Sequence, residues 1–462
     1  MLARTLVHAL RERASLRPDA PALWHKQGGS PYRSLSWSEL WGSALRAGRG
    51  LLALDLPAGS PVAALCGPNV NWLALELGAM GAGLAVAPLY PRWPDESVAE
   101  VLRRLEAKVL FVDGPRLQRV LALRAQLPRL EHVVCLDSRV PAVGGGVRTL
   151  AQLQQAGEAR GGESEWAARV DALEPEAVAS FSLTFGAVGA PRIIEHCHRA
   201  LVAHASRLSR ALGVSEGDML LSRLPPAVSM ERAMLRLVPL TGAQLSVAPE
   251  EGSFQAQLRE ARPTFVHATP EDWEALRRAL EPRLTARSAN QRRVLVWAQQ
   301  AALEAHRLED ALLPVPGPVK ARLKVARTLI FEPLKLEAGL HAARGLLSGL
   351  GPVARSTLEF FASLDLPLGE SWGLVEAGGP VTVNVPAARR LGLQGRPLPG
   401  IAVRIAADGE VLLRTDTLCL PGGEGPAAAA VDRQGWLHTG DLGELDPEGF
   451  LKVARRTPAI AG

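Results

Sequence analysis

One glycine-containing stretch, Phe181–His198 (FSLTFGAVGAPRIIEHCH), follows an apolar run and precedes a helical pattern. A loop in that setting can aim backbone N–H groups at a phosphate, and the N-terminus of the next helix adds a favourable field. Many glycine turns that only join a strand to a helix look the same. Within this stretch His196, Cys197 and His198 have the residue types of a metal cluster. No carboxylate accompanies them at helical spacing, so packing or capping of the following helix is the alternative for His198. Nothing around Cys197 argues for a lowered thiol pKa. Carboxylates, an aromatic ring and tight turns also gather in SGLGP (Ser348–Pro352), ESWGLVEAG (Glu370–Gly378) and GWLHTGD (Gly435–Asp441), the last followed by Gly449 and Arg456.

Alternating strand and helix signals must hold these segments. Pro61–Cys66, Leu84–Pro88, Val109–Val112 and His132–Leu136 read as buried strands, with helices over Asn71–Gly81, Asp95–Leu105 and Arg116–Leu127. That rhythm predicts a mostly parallel sheet covered by helices. Val140–Gly146 reads as a loop. The pattern restarts with a strand at Ala179–Leu183, the helix His198–Leu212, and strands at Met219–Leu224, Gln244–Ala248 and Thr264–Ala268. From Leu276 to Arg327 the chain is helical and arginine-rich: a solvated helix pair, or a membrane-facing or acyl-gating insertion. After the helix Val353–Leu364, the turn pairs Asp408-Gly409 and Glu448-Gly449 mark a small antiparallel β subdomain from Pro397 onward. The expected division is 1–170, then 171–396 with a helical insertion at about 276–344, then 397–462.

Composition narrows the function classes. The chain has 462 residues, 47% hydrophobic and 21% charged, enough for a sizeable core. A net charge of +5 over this length is mild. No basic patch interleaved with aromatics argues for nucleic acid. Cys66, Cys135, Cys197 and Cys419 form no CxxC pair, which points away from a disulfide framework and toward a reducing cytoplasmic setting. The first residues read as an amphipathic helix rather than a signal peptide. Asn71–Tyr90 is nearly long enough to span a bilayer, but Glu76 and several glycines make a buried helix and strand the better reading.

Taken in order, these motifs resemble the large N-terminal part of a long-chain acyl-CoA synthetase, in the adenylate-forming superfamily. The segments RLPPAVSMER (Arg223–Arg232), RPTFVHATPEDWEAL (Arg262–Leu276) and RPLPGIAVRI extend the resemblance over nearly the whole chain. It implies two stacked αβα subdomains plus a β subdomain, the outline reached from the residue pattern as well. It also implies ATP and Mg²⁺ as cofactors and a long-chain fatty acid as partner. Asp441 would hold the ribose hydroxyls as a bidentate acceptor. Arg456 would sit beside ribose and phosphate, and Gly349 in the turn lining adenine. Trp372, next to Gly373, would stack on the base, or be an ordinary core tryptophan. Glu376 would help hold Mg²⁺, directly or through water, or be an ordinary surface carboxylate. Thr184, Gly186 and Gly189 would contact phosphates, with Arg192 as their cation.

The same resemblance exposes departures. Residues Thr184–Arg192 stand where the family has Thr-Ser-Gly-Thr-Thr-Gly-x-Pro-Lys, so three hydroxyls are missing and Phe185 adds bulk. Each lost donor to a charged oxygen is worth about 1.5–3 kcal/mol. Val375 replaces a threonine, and Val228 a histidine near the acyl carboxylate. After Arg456 the sequence reads Thr457, Pro458, Ala459 and ends at Gly462, without the hinge and mobile C-terminal domain that the family uses for thioester formation. Three readings follow: an impaired fatty-acid-adenylating enzyme that needs a C-terminal domain in trans to use CoA, a nucleotide- or acyl-binding pseudoenzyme that partners an active synthetase, or a truncated product. Contact with the inner face of a membrane, through the arginine-rich insertion, is a further expectation.

Overall fold

A computed structural model describes residues 3–26, 30–137, 146–184, 191–385, 387–418 and 431–456. The expected loop at Val140–Gly146 lies almost wholly outside them.

Short runs of Val, Leu, Ala and Phe, apolar on both faces, form the strands of two large sheets. In the seven-stranded sheet the order is Val147–Thr149, His132–Cys135, Val109–Val112, Pro61–Leu65, Ala85–Leu89, Val178–Thr184, Arg192–Cys197. Only the last pairing is antiparallel. In the nine-stranded sheet Gly345–Ser348, Phe265–Ala268, Met219–Ser222, Gln244–Val247 and Pro21–His25 run parallel, and antiparallel strands close both edges. A four-stranded antiparallel sheet (Ala402–Ile405, Glu410–Arg414, Leu437–Leu445, Leu451–Arg456) follows. The molecule is thus α/β, with parallel sheets flanked by helices and a small antiparallel sheet.

Helices Trp37–Leu52, Trp72–Gly81, His198–Leu212 and Ser229–Leu235 supply the middle of the main core. Leu40, Trp72, Leu201 and Met234 share one apolar cluster with Val62 and Val86 of the first sheet and Leu220 and Leu245 of the second. Helix Trp37–Leu52 starts with a capping box in which Ser36 and Glu39 satisfy each other's backbone N–H groups. Asn71–Tyr90 is a buried helix and a buried strand. Inside it, Glu76 (1% exposed) pairs with Arg232 (1% exposed) at 2.7 Å. Arg232 also donates to the Phe181 carbonyl at 2.9 Å and to Ser180.

The sheets do not follow chain order. Pro21–His25 and Arg33–Ser36 sit in the sheet otherwise built from residues after 218, whereas Val178–Cys197 completes the sheet of residues 61–149. Strands of both sheets therefore cross the expected boundary at 170. The sequence pattern also concealed the strand Arg192–Cys197, which pairs antiparallel with Val178–Thr184. The helix His198–Leu212 begins only after Cys197.

Three neighbouring histidines are buried and neutral. Burial, reinforced by nearby cationic groups, lowers His204 to about 4, although its Nε2 lies 2.8 Å from the Pro380 carbonyl. Burial likewise lowers His198 to about 4 and holds His196 well below its ordinary value. The unfolded chain then binds more protons than the folded one between the ordinary value of 6.5 and about 4. Their contribution is complete above that window and is lost as pH falls through it, on the order of 3 kcal/mol each for His198 and His204. Urea midpoints should fall steadily from pH 7 to pH 4; a flat profile would contradict the neutral assignment.

Candidate functional site

Adjacent parallel strands bring two of the motifs together. Gly345–Ser348 pairs with Gly369–Leu374, and Ser371 Oγ donates to the Ser348 carbonyl at 3.1 Å. The turn at Gly349 therefore emerges beside Trp372. Glu370, 2% exposed, fixes this junction: its Oε1 accepts from Val353 N at 3.2 Å and from Gln394 at 3.4 Å, and burial raises its pKa. Gly373 is required by close approach, because a Cβ there would lie 2.1 Å from the Gly379 carbonyl. Across the gap, the strand Leu437–Leu445 presents Asp441, whose backbone N–H donates to Thr439 Oγ1 at 3.1 Å.

Between these elements lies a cavity of about 530 Å³. Gly349, Trp372, Gly373 and Asp441 line it, together with Met230 and Gln394. Among the described residues of its lining Asp441 is the only charged one. Trp372 is half-buried, and its indole Nε1–H donates to Asp441 Oδ2 at 2.7 Å. The side chain expected to stack thus also engages the carboxylate expected to bind hydroxyls.

Glu376 stands apart from this lining. It sits on the single turn Val375–Ala377 between antiparallel strands, 7% exposed, with Oε1 3.1 Å from Arg192 Nη2. Arg192 faces Thr184 across the hairpin. One candidate cation and one candidate metal ligand are therefore held together, and Thr184, half-buried, lies at the same hairpin end. Gly186 and Gly189 lie outside the described residues. Arg456 pairs with Asp441 in backbone register, which places the two positions side by side on neighbouring strands.

His196 and His198 are buried, and among the described residues no group of three or more His, Cys, Asp or Glu side chains is arranged for a metal. Cys66, Cys135 and Cys197 are free thiols. A single carboxylate still suits Mg²⁺ when substrate phosphates supply its other ligands, provided Glu376 leaves Arg192. A hydroxyl-accepting aspartate, an indole and a glycine turn around one hollow suit a nucleoside. Met230 and Gln394 were not evident from the sequence as lining residues. Gln394 accepts from Val453 N at 2.8 Å, and nothing local in the sequence marks that contact. No helix among the described residues is long and apolar enough to cross a membrane.

The model of the AMP-binding enzyme family matches residues 10–418. The protein fadD11 of Mycobacterium tuberculosis, whose name is that of a fatty-acid–CoA ligase, is 32% identical over 64% of this chain and 52% of its own length. The long-chain-fatty-acid–CoA ligase ACSBG2 of Xenopus laevis is 26% identical over 98% of this chain and 63% of its own length. The chain thus spans between half and two thirds of these two relatives. The N-terminal domain of FACL13 from Mycobacterium tuberculosis superposes with a TM-score of 0.71 at 21% identity, covering 99% of this chain and 100% of that one, a likeness of fold. With most of its length matched, a fatty-acyl-CoA-ligase-like sequence and this fold, the chain belongs to the AMP-binding enzyme family.

Proposed function

We propose that the chain binds ATP with Mg²⁺ and adenylates a long-chain fatty acid, at a rate impaired by the departures in its phosphate loop. The convergence of Gly349, Trp372, Gly373 and Asp441 on one cavity carries this reading. In the reaction a fatty-acid carboxylate oxygen attacks the α-phosphorus. A P–O bond breaks, and pyrophosphate leaves as acyl-adenylate forms. Arg192, released from Glu376, would balance phosphate charge, and Glu376 would help hold Mg²⁺. Fatty-acid-dependent exchange of labelled pyrophosphate into ATP tests the proposal; absence of exchange at high enzyme concentration removes it.

The Arg192–Glu376 pair also favours a second reading, a nucleotide-binding pseudoenzyme acting on an active synthetase, because the two groups satisfy each other without a ligand. ATP binding without exchange selects it. Trp372→Phe separates binding from competition. It removes the N–H that occupies Asp441 and keeps a ring, so nucleotide affinity should rise several-fold in equilibrium titration, as the loss of a competing charged hydrogen bond of roughly 1.5–3 kcal/mol allows. Unchanged or weaker binding would mean that the indole itself holds the base.

The insertion supports a peripheral membrane contact. Eight of the ten exposed large apolar side chains of the described residues fall between Val294 and Leu336, including Trp297 and Leu329. The exposed Arg292, Arg293, Lys320 and Lys324 lie in the same segment, a combination suited to an anionic bilayer surface. Flotation with anionic liposomes should carry the protein upward, less so at high salt. Failure to float removes this part of the proposal.

A further inference from the structure

A second cavity, of about 620 Å³, opens where the helices Ala289–Asp310 and Arg355–Ser363 meet the turn before Gln394. It shares no lining residue with the nucleotide cavity. Four guanidinium groups line it, from Arg307, Arg355, Arg389 and Arg390, against two carboxylates, Asp310 and Glu359. The arginines differ in how far the protein uses them. Arg390 is engaged by Asp446 and by Glu448, the latter at 3.0 Å. Arg389, 8% exposed, reaches His306 Nδ1 at 2.9 Å and Glu309 at 3.5 Å and pairs with Asp310 at 3.4 Å, but its buried Nε has no hydrogen-bond acceptor. Arg355 is held only by Glu359 one helical turn on, with its side chain 79% exposed, a contact of little strength. The side chain of Arg307 makes no hydrogen bond or ion pair with any described residue, and it is exposed at the cavity.

A buried guanidinium N–H without an acceptor is costly, and two weakly committed arginines on different helices leave several donors for one ligand. Guanidinium groups match the oxygens of phosphate bidentately. The volume exceeds that of a bare phosphate, and Leu303, Leu391 and Leu393 supply apolar wall. We propose that this cavity binds an organic phosphate, anchored by Arg307 and Arg355. The phosphate is that of a soluble ester or of a lipid headgroup.

The test uses the full chain and two probes: glycerol 3-phosphate by calorimetric titration, and phosphatidylcholine vesicles doped with phosphatidic acid by flotation. Because Arg307 and Arg355 are exposed, the Arg307→Ala/Arg355→Ala variant should fold; its thermal unfolding is compared with the parent's. At least one probe should bind the parent chain and Asp441→Ala alike, and the double variant should bind it about tenfold more weakly or worse. Binding of the soluble ester alone assigns a metabolite, and binding of vesicles alone assigns a headgroup. The proposal is overturned if neither probe binds, if the double variant binds as well as the parent, or if Asp441→Ala abolishes binding.

Discussion

Asp441→Ala should weaken adenine-nucleotide binding by about a hundredfold. This carboxylate is the one charge among the described residues of the cavity lining, 7% exposed and fixed on a strand paired on both sides. Two ribose hydroxyls donating to it would each contribute about 1.5 kcal/mol, near the lower end for hydrogen bonds to a charged group, because the indole N–H of Trp372 must first be displaced. Asp441→Asn should fall between parent and alanine, since its carbonyl oxygen accepts but carries no charge. Equilibrium titration with ATP and AMP measures both. Thermal unfolding should show only a small loss, because the side chain lies at a cavity and not in the core. Equal affinity in parent and alanine variant would remove Asp441 from the nucleotide site.

The second large effect concerns stability. Glu76→Ala should cost about 3–5 kcal/mol in urea unfolding, because it leaves the Arg232 charge buried without its carboxylate. Arg232 ties together three elements: the helix of Glu76, the helix Ser229–Leu235 on which it lies, and the strand Val178–Thr184, whose Phe181 carbonyl and Ser180 hydroxyl it contacts. A double variant, Glu76→Leu with Arg232→Met, removes both charges and should recover much of the loss. A single-variant cost below about 1 kcal/mol would show that water reaches the pair.

The sequence displayed the parallel strands clearly, because strands buried on both faces read as unbroken apolar runs. Val109–Val112 coincides with the observed strand, and Pro61–Cys66 is longer by one residue. Arg192–Cys197 escaped notice because it carries Arg, Glu and His among its isoleucines, as an edge strand facing water on one side can. Trp372 and Asp441 were recognisable from their motifs, but their mutual hydrogen bond was not, since no local pattern encodes a contact between distant strands. The same holds for Arg192 and Glu376, and for Glu76, which the sequence marked only as an interruption of an apolar stretch.

The exchange of strands between the two large sheets bears on how the polypeptide can be divided. A cut near residue 170 would strip Pro21–His25 and Arg33–Ser36 from one sheet and the hairpin Val178–Cys197 from the other. Each fragment would then expose open sheet edges, a ready template for aggregation. Neither half should be soluble when produced alone, whereas co-expressed halves can complement each other. The same lacing pairs residues 23–25 with residues 245–247, so the intact chain should fold slowly and as one cooperative body rather than piece by piece.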